Sequence, residues 1–433
     1  MAKQSSLSRE TGGWLRVFAP AIVVVLIGFA IAFQFVAPPP PRDVILATGS
    51  AGGAYTSYGK RYAEILARDG INVKLRNTSG SIENLNLLND DSSHVDLAFV
   101  QGGLASAVNT ESLVTLGSLF LEPLWIFHSD RISPQRLGDL KGLKISVGAE
   151  GSGTRKLVQD LLQINGVTPR NSTQLFLNSQ DAATKLLSGE IDVVCIVANS
   201  SSKTVLDLLS TPEVELLGLE RAAAYAMRFK YLHVLTLPEG VIDLTKNIPS
   251  SDRTLVAPTA QLVARSDLHP ALVDLLLQAA EEIHAHGGPF EHEGEFPSPQ
   301  YLDFQLSDEA KRFYKNGPPF FQRYLPFWIA NFLSRMKVML VPLIALLFPF
   351  FKIMPAIYRW RMRSRIYRWY TELEAIDEAI HGGEGMPDMT HYYDRLDVLE
   401  QKVLAISVPH SFSEEQYQLR LHIDLLRKKL REQ

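Results

Sequence analysis

The pattern of apolar and polar positions opens with a long uncharged run. Val17 to Ala37 is 21 residues without a charge, preceded by Lys3, Arg9 and Arg16 and followed by Pro38 to Pro41. Such a run is long enough to cross a bilayer, and bulky Phe35-Val36 ahead of Ala37 favours an uncleaved anchor over a signal peptide. A second run, Val338 to Tyr358, has Lys352 as its only charge and ends in Arg359, Arg361, Arg363, Arg365 and Arg368. Lysine can snorkel, and a basic cluster marks the cytoplasmic side of a span. The pattern therefore predicts transmembrane helices at 17–37 and 338–358, a cytoplasmic N-terminus (1–16), a cytoplasmic tail (359–433) and an external domain between the spans. The aromatic stretch Pro326 to Leu333, ending at Arg335 and Lys337, predicts an interfacial segment over 326–337.

Between the spans the pattern alternates short apolar runs with helical periodicity. Val44 to Ala47, Val73 to Leu75 and Val95 to Val100 predict strands, and Thr56 to Arg68 predicts a helix with Tyr58, Tyr62, Ile65 and Leu66 on one face. A similar order recurs. Leu143 to Val147 and Asp192 to Val197 predict strands, while Thr154 to Asn165 and Asp181 to Leu187 predict helices. The expected fold class is α/β, with mostly parallel sheets in two lobes of similar design. The external domain is expected at 42–320, with lobe 1 at about 43–140 and 255–320 and lobe 2 at about 141–254.

Composition narrows the function. Of 433 residues, 46% are hydrophobic and 21% charged, the balance of a folded protein, and the net charge of −4 gives no global basic field for nucleic acid. Cys195, the single cysteine, lies in the apolar run 192–197 and reads as a buried small hydrophobe. Ser57-Tyr-Gly-Lys60 and Ser200-Ser-Ser-Lys203 match the Ser-x-x-Lys half of a penicillin-recognising site, but the companion motifs are absent. His284, His286, Glu291, His292, Glu293 and Glu295 could supply metal ligands, yet Gly287-Gly-Pro289 marks an ordinary helix end and polar loop. The sequence points away from an enzyme and calls for no cofactor or metal.

Candidate chemistry sits in three small-residue loops, 48–55, 77–81 and 148–154, each following a predicted strand and leading into a helix. In parallel sheets ligands bind at such ends. The first amides of a helix lack internal partners, the helix dipole adds positive charge, and small residues let an anion approach. Together the loops suit a carboxylate or another small anion; singly each reads as an ordinary βα turn.

Thr48-Gly-Ser-Ala-Gly-Gly-Ala-Tyr55, Thr78-Ser-Gly-Ser-Ile-Glu-Asn84, Asp96-Leu-Ala-Phe-Val-Gln101 and Gly148-Ala-Glu-Gly-Ser-Gly-Thr154 follow the order found in TAXI-type solute receptors, and residues 43 to 300 resemble that family. These are the extracytoplasmic binding proteins of a class of TRAP transporters. The resemblance implies a two-lobed periplasmic-binding-protein type II fold that closes on its ligand, and a small carboxylate ligand, either a dicarboxylate or an amino acid such as glutamate. It also implies site residues. Thr48, Gly49, Gly53 and Tyr55 belong to the first loop, Ser79, Gly80, Ser81 and Asn84 to the second, Gln101 to a strand end, and Ser152, Gly153 and Thr154 to the second lobe, while Arg155 either adds charge there or faces solvent. The chain departs from many relatives in having Gly102-Gly103 where an aspartate follows the glutamine, and in its two predicted tethers and its tail.

The tail reads as helices at 367–380, 392–406 and 414–430, with Leu419, Ile423, Leu426 and Leu430 on one stripe. Three roles follow. The first is capture of a solute for TRAP-type membrane subunits, in an inner-membrane protein with its binding domain outside and both termini cytoplasmic. The second is sensing, relayed to the tail. The third is an extracytoplasmic enzyme or scaffold. The expected partners are a small anionic or zwitterionic solute, membrane lipid and, for transport, TRAP permease subunits.

Overall fold

A computed structural model of the chain describes residues 38–382, 389–406 and 412–432, together with 23, 26–31, 33 and 34. The chain divides into two units, one spanning Pro38–Leu333 and the other comprising Met1–Ala37 with Ser334–Gln433.

The first unit begins β1 (Asp43–Ala47), α1 (Ala54–Ala67), β2 (Asn72–Arg76), α2 (Ser81–Asn89), β3 (Leu97–Gln101) and β4 (Leu113–Leu121). It continues with β5 (Leu124–Ser129), β6 (Lys144–Ser146), α3 (Gly153–Ile164), β7 (Thr173–Leu175), α4 (Ser179–Leu187), β8 (Val193–Val197), α5 (Lys203–Leu209), β9 (Val214–Leu216) and α6 (Ala222–Arg228). The hairpin β10 (His233–Leu237) and β11 (Arg253–Ala257), then β12 (Thr259–Arg265), α7 (Pro270–His284) and α8 (Asp308–Asn316), complete it.

Two five-stranded sheets carry the unit, in the orders β2-β1-β3-β12-β4 and β7-β6-β8-β5-β9. The orders correspond strand for strand. In each sheet the first three strands pair in parallel, and the fourth, which arrives from the other lobe, pairs antiparallel on both sides. The sheets are therefore mixed, not mostly parallel as expected. The cause is connectivity. β4 passes through Glu122-Pro123 into β5 and β11 through Pro258 into β12, so each lobe receives a strand with no crossover helix to set it parallel. The lobe boundary moves accordingly. β5 lies in the second sheet, so lobe 2 runs from 124 to 257 and not from 141 to 254. The run Leu119-Phe-Leu-Glu-Pro-Leu-Trp125 reads as one apolar stretch, and the residues themselves do not show that Pro123 changes sheet.

Both faces of each sheet are covered, as period-2 alternation requires. Leu97 and Phe99 enter a core with Tyr62, Leu66 and Leu276, whereas Ala98 and Val100 enter one with Leu85, Leu88 and Phe304. In lobe 2, Val193 and Cys195 face Leu157 and Leu161, while Val194 and Ile196 face Trp125 and Leu186. Burial alone pushes the Cys195 thiol up to about 12.

The two ends of this unit meet. The Arg42 guanidinium lies 5.2 Å from the centre of the Trp328 ring, and the Trp328 indole donates to the carbonyl of Asp69 at 2.7 Å. Phe327 and Trp328 thus pack on lobe 1, while Ile329 and Phe332 stay exposed, so the expected interfacial segment is half docked on protein.

The second unit holds most of α9 (Phe327–Gly382), α10 (Met389–Leu404) and α11 (Ser413–Glu432). Ile366, Leu373, Ile376 and Ile380 pack with Leu396, Leu399 and Val403 and with Leu419, Ile423, Leu426 and Leu430. The spacings of three, four and seven are those of a bundle seam, so the predicted stripe is core. Arg427 pairs with Asp397 and Glu400 at its edge. A groove of about 640 Å³ runs between α9 and α11, past Tyr370, Asp377 and His422.

Among the described residues no helix is long and apolar enough to cross a membrane. The expected span at 17–37 falls almost wholly outside the described residues. That at 338–358 lies within α9, but the side chains at 338, 339, 341, 342, 346, 349 and 350 lie outside the description, and the structure lends it no support.

Candidate functional site

The three loops singled out in the sequence converge at the facing ends of the two sheets. β1 ends at Ala47, and a carbonyl network locks the next residues. Asn84 Nδ2 donates to the carbonyls of Thr48 (2.5 Å) and Phe99 (2.8 Å), Thr78 Oγ1 donates to Asn84 Oδ1 (2.6 Å), and the amide of Gln101 donates to Ser81 Oγ (2.9 Å). Thr48, Asn84 and Ser81 are all but fully buried. They tie the ends of β1 and β3 and the start of α2 into one rim. Gly53 precedes α1 as its cap, and its amide donates to the Ser50 carbonyl at 3.0 Å. Beside Gly49, the Tyr55 ring packs on Phe99 with centroids 5.4 Å apart.

Lobe 2 closes on this rim directly. The Gly151 carbonyl accepts from the amides of Ile82 (3.1 Å) and Glu83 (3.4 Å), two of the unpartnered amides in the first turn of α2. Gln101 Nε2 donates to the Gly153 carbonyl at 3.2 Å, and Asn199 Nδ2 donates to the Tyr58 hydroxyl at 3.3 Å. Close approach explains two glycines. A Cβ on Gly151, at φ +76°, would lie 2.6 Å from Ser79 Oγ, and one on Gly153 would lie 2.8 Å from Gln101 Oε1.

The anion-seeking groups are satisfied by protein. Ser79 donates from both its amide and its hydroxyl to the Glu83 carboxylate, which holds that carboxyl below its usual range. Ser152 Oγ accepts from the Arg155 amide at 3.2 Å and so caps its own helix, α3. Thr154 packs back against the Gly148 turn. Arg155 reaches Glu150 at 3.2 Å and lies 4.0 Å over the Phe176 ring, so its charge is spent on its own loop. The structure thus brings Tyr55, Ser79, Gly80, Ser81, Gln101, Ser152 and Gly153 to the lobe junction. Thr48 and Asn84 serve the framework behind it, and Thr154 turns away.

Sequence reasoning did not single out Glu122. It is 5% exposed, at the crossing from sheet 1 to sheet 2, and it accepts the Tyr55 hydroxyl at 2.7 Å. Burial pushes its carboxyl up to about 8. The available signal was its position as the only charged residue between Leu113 and Phe127. Against it stands an aromatic wall. Phe120 stacks on His284 (5.5 Å) and tilts against Tyr58 (4.8 Å), and burial drives the His284 imidazole down to about 3. His284 is therefore a neutral core ring, and among the described residues no group of three or more His, Cys, Asp or Glu side chains could hold a metal ion. Gly102-Gly103 also acquires a reason. The Asp303 carboxylate fills that place, accepting from the Gly103 (2.6 Å) and Leu104 (3.2 Å) amides.

Two matching five-stranded sheets, joined by two strand crossings and facing each other across glycine loops, define a periplasmic-binding-protein type of fold. The chain belongs to the NMT1-like family, whose pattern matches residues 46–284, more than half of its length. Similar solved structures include the alkanesulfonate-binding protein SsuA from Xanthomonas axonopodis pv. citri bound to MOPS (15% identity over 57% of this chain and 74% of that one, TM-score 0.38). The periplasmic aliphatic sulphonate binding protein SsuA from Escherichia coli matches at 14% identity over 70% of this chain and 77% of that one, TM-score 0.36. An ancestral arginine-binding protein bound to arginine matches at 14% identity over 57% of this chain and 93% of that one, TM-score 0.36. Likeness at this level names no ligand for this chain.

Proposed function

We propose that the chain is a solute receptor whose two lobes close on a small carboxylate, acting for a TRAP-type permease as TAXI-type receptors do. One observation carries the reading: the Gly151 carbonyl of lobe 2 sits on the first-turn amides of α2 in lobe 1. A carbonyl oxygen there occupies the position a ligand carboxylate oxygen would take, and the exchange would leave both amides satisfied. Family membership and the paired sheets support the receptor class.

The receptor is held at the cytoplasmic membrane by its two apolar runs, with the binding unit outside and both termini inside. The meeting of Arg42 and Trp328 supports this, because it brings the entry and exit of the binding unit to one place. A sensing role is the second reading. It is motivated by the bundle in which α9, α10 and α11 share one apolar core with ion pairs at its edge.

A thermal-shift screen of the purified full-length chain against small carboxylates, amino acids and sulfonates tests the receptor. A solute that binds only the folded state raises its melting temperature. A shift confined to carboxylate-bearing compounds is expected; a shift with sulfonates alone would reject the carboxylate, and no shift with any class would reject the receptor. Protease digestion of spheroplasts tests the topology: cleavage within 38–325 with the tail protected is expected, and the reverse would overturn it.

A further inference from the structure

Glu122 stands where the two crossings between the lobes run side by side, its amide donating to the Pro258 carbonyl at 2.9 Å. Its named partner is a neutral phenol, Tyr55, and among the described residues no cation pairs with it. The titratable groups around it are few. Tyr55 and Tyr58 come from α1, with Arg61 near enough to bias Tyr58 and His284. His284 comes from α7, stacked on Phe120. Glu291, beyond α7, accepts the Leu121 amide at 3.1 Å. None of these supplies a positive charge to Glu122, and Tyr55 reaches it through its hydroxyl, with the Tyr55 ring 6.4 Å and the Tyr58 ring 4.8 Å from the Phe120 ring. The same Tyr55 hydroxyl also lies in reach of Ser81, the first residue of α2, one residue before the Ile82 amide that holds the Gly151 carbonyl.

We propose that Glu122, with Tyr55, is the subsite for the ammonium group of a zwitterionic solute whose carboxylate replaces the Gly151 carbonyl on α2. This rests on the receptor reading above and narrows its solute from carboxylates in general to amino acids. A buried carboxyl without a cation keeps its proton, and an arriving ammonium group displaces that proton to solvent. Binding therefore releases about one proton per solute below pH 8, and affinity rises about tenfold per pH unit from pH 6 to 8. Fully anionic solutes of the same shape gain nothing at Glu122 and are repelled once it ionises.

Isothermal titration of the purified full-length chain with the standard L-amino acids, and in parallel with glutarate, succinate and 2-oxoglutarate, tests this at pH 6.5 in two buffers of different ionisation enthalpy. We expect an amino acid to bind with release of about one proton, and the carboxylates lacking an ammonium group to bind more weakly. Glu122→Gln keeps an acceptor for Tyr55, so it should fold, weaken amino-acid binding about 30-fold or more and abolish proton release. Carboxylates binding as tightly as amino acids, or unchanged affinity and proton release in the variant, would overturn the proposal and leave the receptor standing. Binding of neither class rejects both. Should the variant not fold, proton release by the native chain decides alone, since its absence rejects Glu122 as the ammonium partner.

Discussion

The Gly151 carbonyl oxygen lies 3.1 Å from the Ile82 amide nitrogen, so a loop of one lobe caps a helix of the other. The contact spends no side chain, which makes it exchangeable for a ligand oxygen at small cost in either direction.

Gly151→Val breaks this contact. The new Cβ falls 2.6 Å from Ser79 Oγ, at a φ that disfavours valine. Hydrogen exchange of a peptide covering 81–89 should quicken about tenfold, since the first-turn amides lose their acceptor. A bound carboxylate should leave the protection of these amides unchanged in the native chain, where it replaces one acceptor by another, and restore it in the variant.

Stability should fall with pH because of Glu122. Its folded-state value of about 8 lies above the ordinary 4.5, so its contribution is complete below pH 4.5 and is lost as pH rises through 8. His284 works in the opposite sense. Depressed to about 3 from 6.5, it contributes above 6.5 and loses its effect as pH falls toward 3. Between pH 6.5 and 8.5 only the Glu122 slope remains of the two. Urea titrations there should show the native chain losing about 2 kcal/mol relative to Glu122→Gln. Parallel curves for the two chains would remove Glu122 as the source.

Asp303→Ala should cost about 2 kcal/mol, read as a lower urea midpoint. It orphans the Gly103 and Leu104 amides and frees the Gln261 side-chain amide. Asp303→Asn, which keeps one acceptor oxygen, should lose less.

Cys195 should resist an aromatic disulfide reagent at pH 8 in the folded chain and react fully in urea. Its thiol is buried in the core between β8 and α3 and raised to about 12, so almost no thiolate is present at the test pH. Rapid labelling of native protein would place Cys195 outside that core.

Local signals carried far in this sequence. Short unbroken apolar runs marked Leu97 to Val100 and Val193 to Ile196 as strands buried on both faces, because successive side chains of a strand point to opposite sides and both sides here are apolar. The stripe Leu419, Ile423, Leu426 and Leu430 marked a helix seam because spacings of three and four return to one face of a helix. The loops around Gly53, Gly80 and Gly151 were legible because small residues after a strand have few other uses.

Tertiary structure alone decided what those loops touch. That Gly151 meets Ile82, that Asp303 fills the place beside Gly103, and that Arg155 turns onto Phe176 depend on how the two sheets face each other, which no local period encodes. Glu122 shows the division most plainly. Its sequence neighbours are apolar whichever sheet they join, and it becomes a buried carboxyl facing Tyr55 only because two strand crossings, more than a hundred residues apart in the chain, run side by side. The sequence by itself determined the elements and the small-residue rim, since hydrophobic periodicity and backbone freedom act over a few residues. The tertiary structure decided the charge and closure of the site, since burial and desolvation depend on everything that packs around a group.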